Sequence, residues 1–245
     1  MRGFRRGCAL MLSALGGVVL LACAGEIART PQTSDIVAVL DHVRIDSVPK
    51  ADISTRYSEL TDTDFKLVAD ELGVEVAAIK AVVQIEAGAE MKGFWAPGVP
   101  VINFDKTMYN KYRSQSKEKK GPPVPDGLTG YALRQWTQLV RARKTDARAA
   151  NMGTFWGMFQ IGGFNYKLCG CKDIDEFVRL MSYSELEQLE LFAAFITNTG
   201  MLADLRKKNW AGFARKYNGS SYARRGYHTK MAAAYKKFVK QPLDL

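Results

Sequence analysis

One helical stripe in this chain ends in a carboxylate. Ile79, Val82 and Val83 stand at i, i+3 and i+4 of a segment read as a helix from about Glu75 to Ala87, and the next position on that face is Glu86. Such a residue either swings from the last turn into water or is delivered into apolar surroundings. In the second case the apolar environment disfavours the ionised form. The partial negative charge of a helix C-terminus disfavours it further. An ordinary Glu near pKa 4.3 is ~0.2% protonated at pH 7, and one raised to near 6 is ~10% protonated, at a cost of ~2.3 kcal/mol. The result is a proton donor at neutral pH.

The rest of the folded body reads as helices around one irregular segment. Thr61 or Asp62 caps a first helix with the stripe Phe65, Val68 and Leu72, and Gly73 stops it. Periodicity breaks from Gly88 to Tyr112, where residues 99–104 fit a short extended stretch. Residues 114–127 are charged and then Pro-rich, a loop without core positions, and 130–149 look helical and basic. Residues 151–166 are dense in aromatics and in glycines (Gly153, Gly157, Gly162, Gly163), which suits tight turns and close backbone approach more than packing. Asp173 with Glu176 and Ser184 with Glu187 read as capping boxes opening two helices. Leu186, Leu189, Phe192, Ala193 and Ile196 stripe the second, and Gly200 ends it. Trp210, Phe213, Ala214 and Tyr217 stripe another that stops at Asn218-Gly219, and Met231, Tyr235 and Phe238 stripe the last. With no run of alternating strands, the fold class is mainly α with at most a small β region.

The N-terminus reads as an export signal. Arg2, Arg5 and Arg6 precede an uncharged run from Ala9 to Ala22, shorter than the ~20 residues that span a bilayer. Its end, Leu20-Leu21-Ala22-Cys23, resembles the bacterial lipoprotein signal, which implies cleavage after residue 22 and a lipid-carrying Cys23. Acyl chains at ~0.8 kcal/mol per buried CH₂ would hold the chain on a membrane. Residues 23–57 then form a tether and 58–245 the folded domain. Loss of residues 1–22 removes three Arg and no acid, so the formal charge falls from +10 to +7. A basic exported chain suits an anionic cell-wall polymer or lipid surface and not nucleic acid. Two His, and the absence of GxxxxGK[ST] and GxGxxG patterns, give no reason to expect a metal or a cofactor. Cys169 and Cys171, one residue apart, are a strained local bridge, two buried thiols or a redox pair.

Three ordered segments resemble the lysozyme-like superfamily: Ile85-Glu86-Ala87-Gly88, Gly157-Met158-Phe159-Gln160-Ile161, and Tyr217-Asn218-Gly219. The N-acetylmuramidase domain family of phage endolysins and bacterial envelope proteins is more similar still. The likeness rests on the run Trp156 to Asn165, on Ser184-Glu185-Leu186-Glu187-Gln188-Leu189 and on Ala214-Arg215-Lys216-Tyr217-Asn218-Gly219, and covers roughly residues 60–240. Ala87 and Ala89 depart from the family's usual Ser and Gly. Asp105 stands where Glu is frequent, and Thr107 where His is. The resemblance implies a lysozyme-like helical fold and cleavage of the bond from N-acetylmuramic acid to N-acetylglucosamine in peptidoglycan, in the bacterial cell envelope, with Glu86 as the catalytic acid.

In that chemistry Glu86 protonates the glycosidic oxygen, and a second carboxylate stabilises the oxocarbenium ion or activates water. Asp105 is the first candidate for the second group; equally, it is a structural Asp at a turn. Trp156 could stack on a sugar, Gln160 could hold water or an N-acetyl group, and Tyr217 and Asn218 could bind sugar or orient Glu86. Asn165, at the end of the Trp156 run, joins them as a candidate substrate contact. Their structural alternatives are core packing for Trp156 and a helix C-cap for Asn218. Three other functions remain open: a lytic transglycosylase forming 1,6-anhydro ends, a non-catalytic wall-binding module, and a Cys peptidase using Cys169 or Cys171 with His228.

Overall fold

A computed structural model describes residues 59–114 and 122–245. The expected signal 1–22, Cys23 and the tether to residue 57 lie outside these residues. Helix α1 (Asp62–Leu72) opens with a full capping box between Thr61 and Asp64 and closes on Gly73 at φ +61°. Its expected stripe of Phe65, Val68 and Leu72 is buried, together with Ala69. Helix α2 (Val76–Ala87) buries Ile79, Val82 and Val83 completely and ends at Gly88, whose φ of +85° suits a residue without Cβ.

The irregular stretch after α2 resolves into two small antiparallel sheets. Strands β1 (Phe94–Ala96) and β2 (Val99–Pro100) form a hairpin. Strand β3 (Ile102–Phe104) pairs with β4 (Thr154–Trp156), which pairs with β5 (Ile161–Gly162). Trp156 lies opposite Ile102 on one side and Ile161 on the other. The glycine-rich segment thus becomes a strand, a tight turn and a second strand, followed by a 3-10 turn at Gly163–Asn165.

Helix α3 (Lys106–Tyr112) was not legible from periodicity, because Tyr109 is its one buried residue. Helix α4 (Gly130–Met152) matches the expected basic helix but breaks at Asp146, which has φ −148° and ψ 95°. There the Asp146 carboxylate accepts from the Ala149 N–H and from both the N–H and hydroxyl of Ser114. An Asp inside a helix competes for backbone N–H groups, and here it caps a second helical segment. Helices α5 (Ile174–Met181) and α6 (Glu185–Asn198) begin at Asp173 and Ser184, each side chain accepting from the backbone N–H three residues on. A short α7 (Leu202–Arg206) leads into α8 (Trp210–Asn218), and α9 (Tyr227–Phe238) packs along α2. The core gathers Leu139, Trp156, Phe159, Phe177, Met181, Phe192 and Phe213, all fully buried, between α4 to α6, α8 and the three-stranded sheet.

Candidate active site

The buried stripe of α2 fixes the rotation of that helix, so its last turn carries Glu86 to the edge of the core, where it is half-buried. Its Oε1 accepts a 2.7 Å hydrogen bond from Asn218 Nδ2. Loss of hydration pushes the Glu86 carboxyl up to about 7, against the opposing pull of the Asn218 amide. At pH 7 about half of the molecules therefore carry the proton.

Asn218 reaches Glu86 because α8 ends there, on Gly219 at φ +75°. The preceding residue holds another part of the site. Tyr217 donates its phenolic O–H to the Phe159 carbonyl at 2.5 Å, and its ring stacks on Phe213 at 5.4 Å. Consecutive residues of one helix end thus grip Glu86 and the turn between β4 and β5. That turn runs from Gly157, at φ +71°, to Gln160, at φ +47°. A left-handed conformation costs a residue with a Cβ roughly 1–2 kcal/mol. Gln160 holds it with its side-chain amide, which donates to the Gly157 carbonyl at 2.8 Å. Asn165 lies half-buried in the 3-10 turn beyond β5.

Two residues of α6 lock these parts together, and sequence reasoning assigned neither a role. Gln188 is fully buried. Its carbonyl accepts from the Met158 N–H at 2.8 Å, and its amide donates to the carbonyls of Gly93 and Met181 at 3.2 and 2.9 Å. Glu185, also buried, accepts from the N–H groups of Gly93 and Leu60 at 2.7 and 2.9 Å. Burial raises the Glu185 carboxyl, and those two donors pull it back. The chain leaving the Glu86 helix is therefore held at Gly93 through both its N–H and its carbonyl. A Cβ at Gly93 would meet Gln188 Oε1 at 2.4 Å, and one at Gly157 would meet it at 2.6 Å. The signal was in the sequence: Glu185 and Gln188 continue the apolar stripe of α6, as Glu86 continues that of α2.

A cleft of about 350 Å³ opens at Ala87, immediately after Glu86. It is lined by Ala87, Ala89, Glu90, Lys92, Phe94, Trp95 and Val101. Its size falls at the lower end of the ~300–1,000 Å³ range of small-molecule sites. Val101 joins its wall to the β4–β5 turn, accepting from the Gly157 N–H at 2.8 Å while donating to the Gly93 carbonyl at 2.9 Å.

Other expected site residues lie elsewhere. Trp156 is fully buried, donates to the Asn151 carbonyl at 3.0 Å and stands edge-on to Trp136. It has no face open to a sugar, so its expected stacking role is corrected to core packing. Asp105 is the N-cap of α3, where its Oδ1 accepts from the N–H groups of Thr107 and Met108. Cys169 and Cys171 are both buried, 1% and 5% exposed. That burial removes the basis for an accessible thiol nucleophile.

Comparison with known proteins places the chain in a family. The family model of N-acetylmuramidase matches residues 75–239. The chain is similar to the endolysin of a Burkholderia phage, AP3, whose crystal structure shares 34% identity with a TM-score of 0.60. The alignment covers 76% of this chain and 72% of that one. No curated protein matches the sequence. The matched segment runs through Glu86, the β4–β5 turn and the Tyr217-Asn218 pair, and the chain belongs to the N-acetylmuramidase family of lysozyme-type glycoside hydrolases.

Proposed function

We propose that the chain hydrolyses the glycosidic bond between N-acetylmuramic acid and N-acetylglucosamine in peptidoglycan, with Glu86 as general acid. The observation that carries this reading is a carboxyl held near pKa 7, with one oxygen engaged by Asn218, in the residue next to Ala87 of the cleft wall. Because Oε1 accepts from the amide, Oε2 is the oxygen that carries the proton. That proton passes to the glycosidic oxygen as the bond to the anomeric carbon breaks, and the sugar ring acquires oxocarbenium character. Water then attacks the anomeric carbon, and its surplus proton returns to the Glu86 carboxylate. Asn218 keeps the acid aimed, and Tyr217 and Gln160 act by holding the β4–β5 turn in place.

Hydrolysis leaves reducing ends on the muramyl residues, whereas transglycosylation leaves 1,6-anhydro ends. Mass spectrometry of muropeptides released from purified sacculi is expected to find reducing ends; anhydro ends as the main product would refute the hydrolytic step.

Asp105 acts in this reading through the helix it caps. Asn caps a helix as well as Asp does, so Asp105→Asn is expected to keep kcat/KM within about threefold of the parent. A loss beyond ~100-fold, the range of a missing acid–base group, would make Asp105 the second carboxylate after all.

The proposal extends to location: export by residues 1–22 and anchoring through lipidated Cys23, which brings the enzyme to the cell envelope. Metabolic labelling with a fatty-acid probe is expected to mark the chain in bacteria and to vanish in Cys23→Ser. Persistent labelling of that variant would exclude Cys23 as the lipid site.

A further inference from the structure

The cleft that opens at Ala87 is lined by one ring of an aromatic pair that the catalytic chemistry does not use. Trp95, in β1, lines the cleft. Its ring meets that of Tyr131 edge to face, with centroids 6.1 Å apart and planes at 84°. Tyr131 stands in the first turn of α4 and is 49% exposed, unusual for so large a ring. The guanidinium of exposed Arg134 sits 5.8 Å from the centroid of the Tyr131 ring. Lys92, half open to solvent on the cleft wall, has its charge offset by Glu90 and Glu59, which leaves Arg134, among the described residues, as the cation of this corner. This corner is also firmly placed: Gly93, the residue before β1, is held by Glu185 and Gln188 together.

We propose that Trp95 and Tyr131 form a saccharide platform, a subsite on which a pyranose ring of the glycan strand away from the scissile bond rests, with Arg134 beside it to meet a carboxylate of the stem peptide on the muramyl unit. The inference rests on the hydrolase reading for the identity of the polymer. The C–H face of a pyranose is apolar and flat enough to stack on an aromatic ring, and a rigid ring gives contact area with little loss of side-chain freedom. Two rings at right angles offer a floor and a wall. Trp95 lines the same cleft as Ala87, the residue after Glu86, so a strand that follows this cleft from a reacting bond at Glu86 reaches Trp95. The muramyl unit differs from N-acetylglucosamine by a lactyl substituent that carries the stem peptide, and a guanidinium is suited to the carboxylates of that peptide.

The test separates binding from cleavage. In the full chain carrying Glu86→Gln, binding to purified sacculi is titrated with and without Tyr131→Ala, Tyr131→Phe or Arg134→Glu. Tyr131→Ala is expected to weaken binding about tenfold, and Tyr131→Phe to retain it. Arg134→Glu is expected to weaken it several-fold at low salt and much less at high salt. With Glu86 restored, Tyr131→Ala is expected to raise KM on soluble glycan strands about tenfold while kcat changes less than about twofold, because remote contacts contribute uniform binding. Unchanged affinity and KM in Tyr131→Ala, with the fold intact by circular dichroism, would overturn the platform. A fall in kcat as large as the fall in kcat/KM would also overturn it. If the parent chain released no sugar from sacculi, the hydrolase reading would fail, while the Glu86→Gln titrations would still report on the platform.

Discussion

Glu86→Gln is expected to lower kcat/KM on peptidoglycan by ~10²–10⁴-fold, the range of a removed acid–base group, and to make the protein more stable at pH 8. Both effects come from the same burial. Gln retains a carbonyl oxygen to accept from Asn218 Nδ2, but it has no proton to give. In the native protein the Glu86 carboxyl titrates at about 7, against 4.5 for an ordinary Glu. Between those values the native state holds a proton that the unfolded chain has released, so stability falls as pH rises through that window. The loss is nil below pH 4 and reaches about 3 kcal/mol above pH 7, at 1.36 kcal/mol per unit. The residual exposure of the half-buried side chain trims this figure. The variant escapes the loss, so urea midpoints of parent and variant are expected to agree near pH 4 and to diverge by pH 8 in favour of Gln. The same proton shapes the rate: kcat/KM of the parent is expected to decline tenfold per pH unit above about pH 7. A variant that still lyses cell walls, or parent and variant midpoints that move together with pH, would remove the basis for an acid at this position.

Gln188→Ala is the substitution expected to do most damage to the fold. The lost amide leaves the Met158 N–H and the carbonyls of Gly93 and Met181 without their partner inside the core. Buried backbone groups deprived of hydrogen bonds cost ~1–3 kcal/mol each. Val101 still satisfies part of Gly93, and water entering the vacated space offsets some of the rest. A net loss of about 3–5 kcal/mol follows, which for a domain of this size lowers Tm by roughly 10 °C. The change is far from the reacting atoms, yet activity is expected to fall as well, because Gly93 and the β4–β5 turn lose their common anchor. Gly157→Ala probes the same contact from the other side, since its Cβ would fall 2.6 Å from Gln188 Oε1 at a φ of +71°. If Gln188→Ala melted within about 2 °C of the parent, the anchoring role would be wrong.

Much of this architecture was legible because it is decided within a turn or two of chain. The stripes of α1, α2, α6 and α8 are i, i+3, i+4 patterns. The ends at Thr61, Gly73, Asp173, Ser184 and Gly219 are local contests for backbone hydrogen bonds. Helices α3 and α7 escaped because each buries a single side chain, Tyr109 in one and Leu205 in the other, which makes no stripe. Trp156 was misplaced because an aromatic ring beside glycines suits a sugar site and a sheet interior equally well; its pairing with Ile102 on one side and Ile161 on the other chose the interior.

By itself, the order of residues determined the striped helices, most of their limits and the presence of an acid at the end of the apolar face of α2. Tertiary structure decided what surrounds that acid. Asn218 meets Glu86 across 132 positions of sequence, and Gln188 meets Gly93 across 95. Neither amide differs in composition from one that faces water. Only the meeting of the end of α8 with Glu86, and of α6 with Gly93 and the β4–β5 turn, withdraws these groups from solvent, and that both raises the proton affinity of Glu86 and makes each amide partner costly to lose.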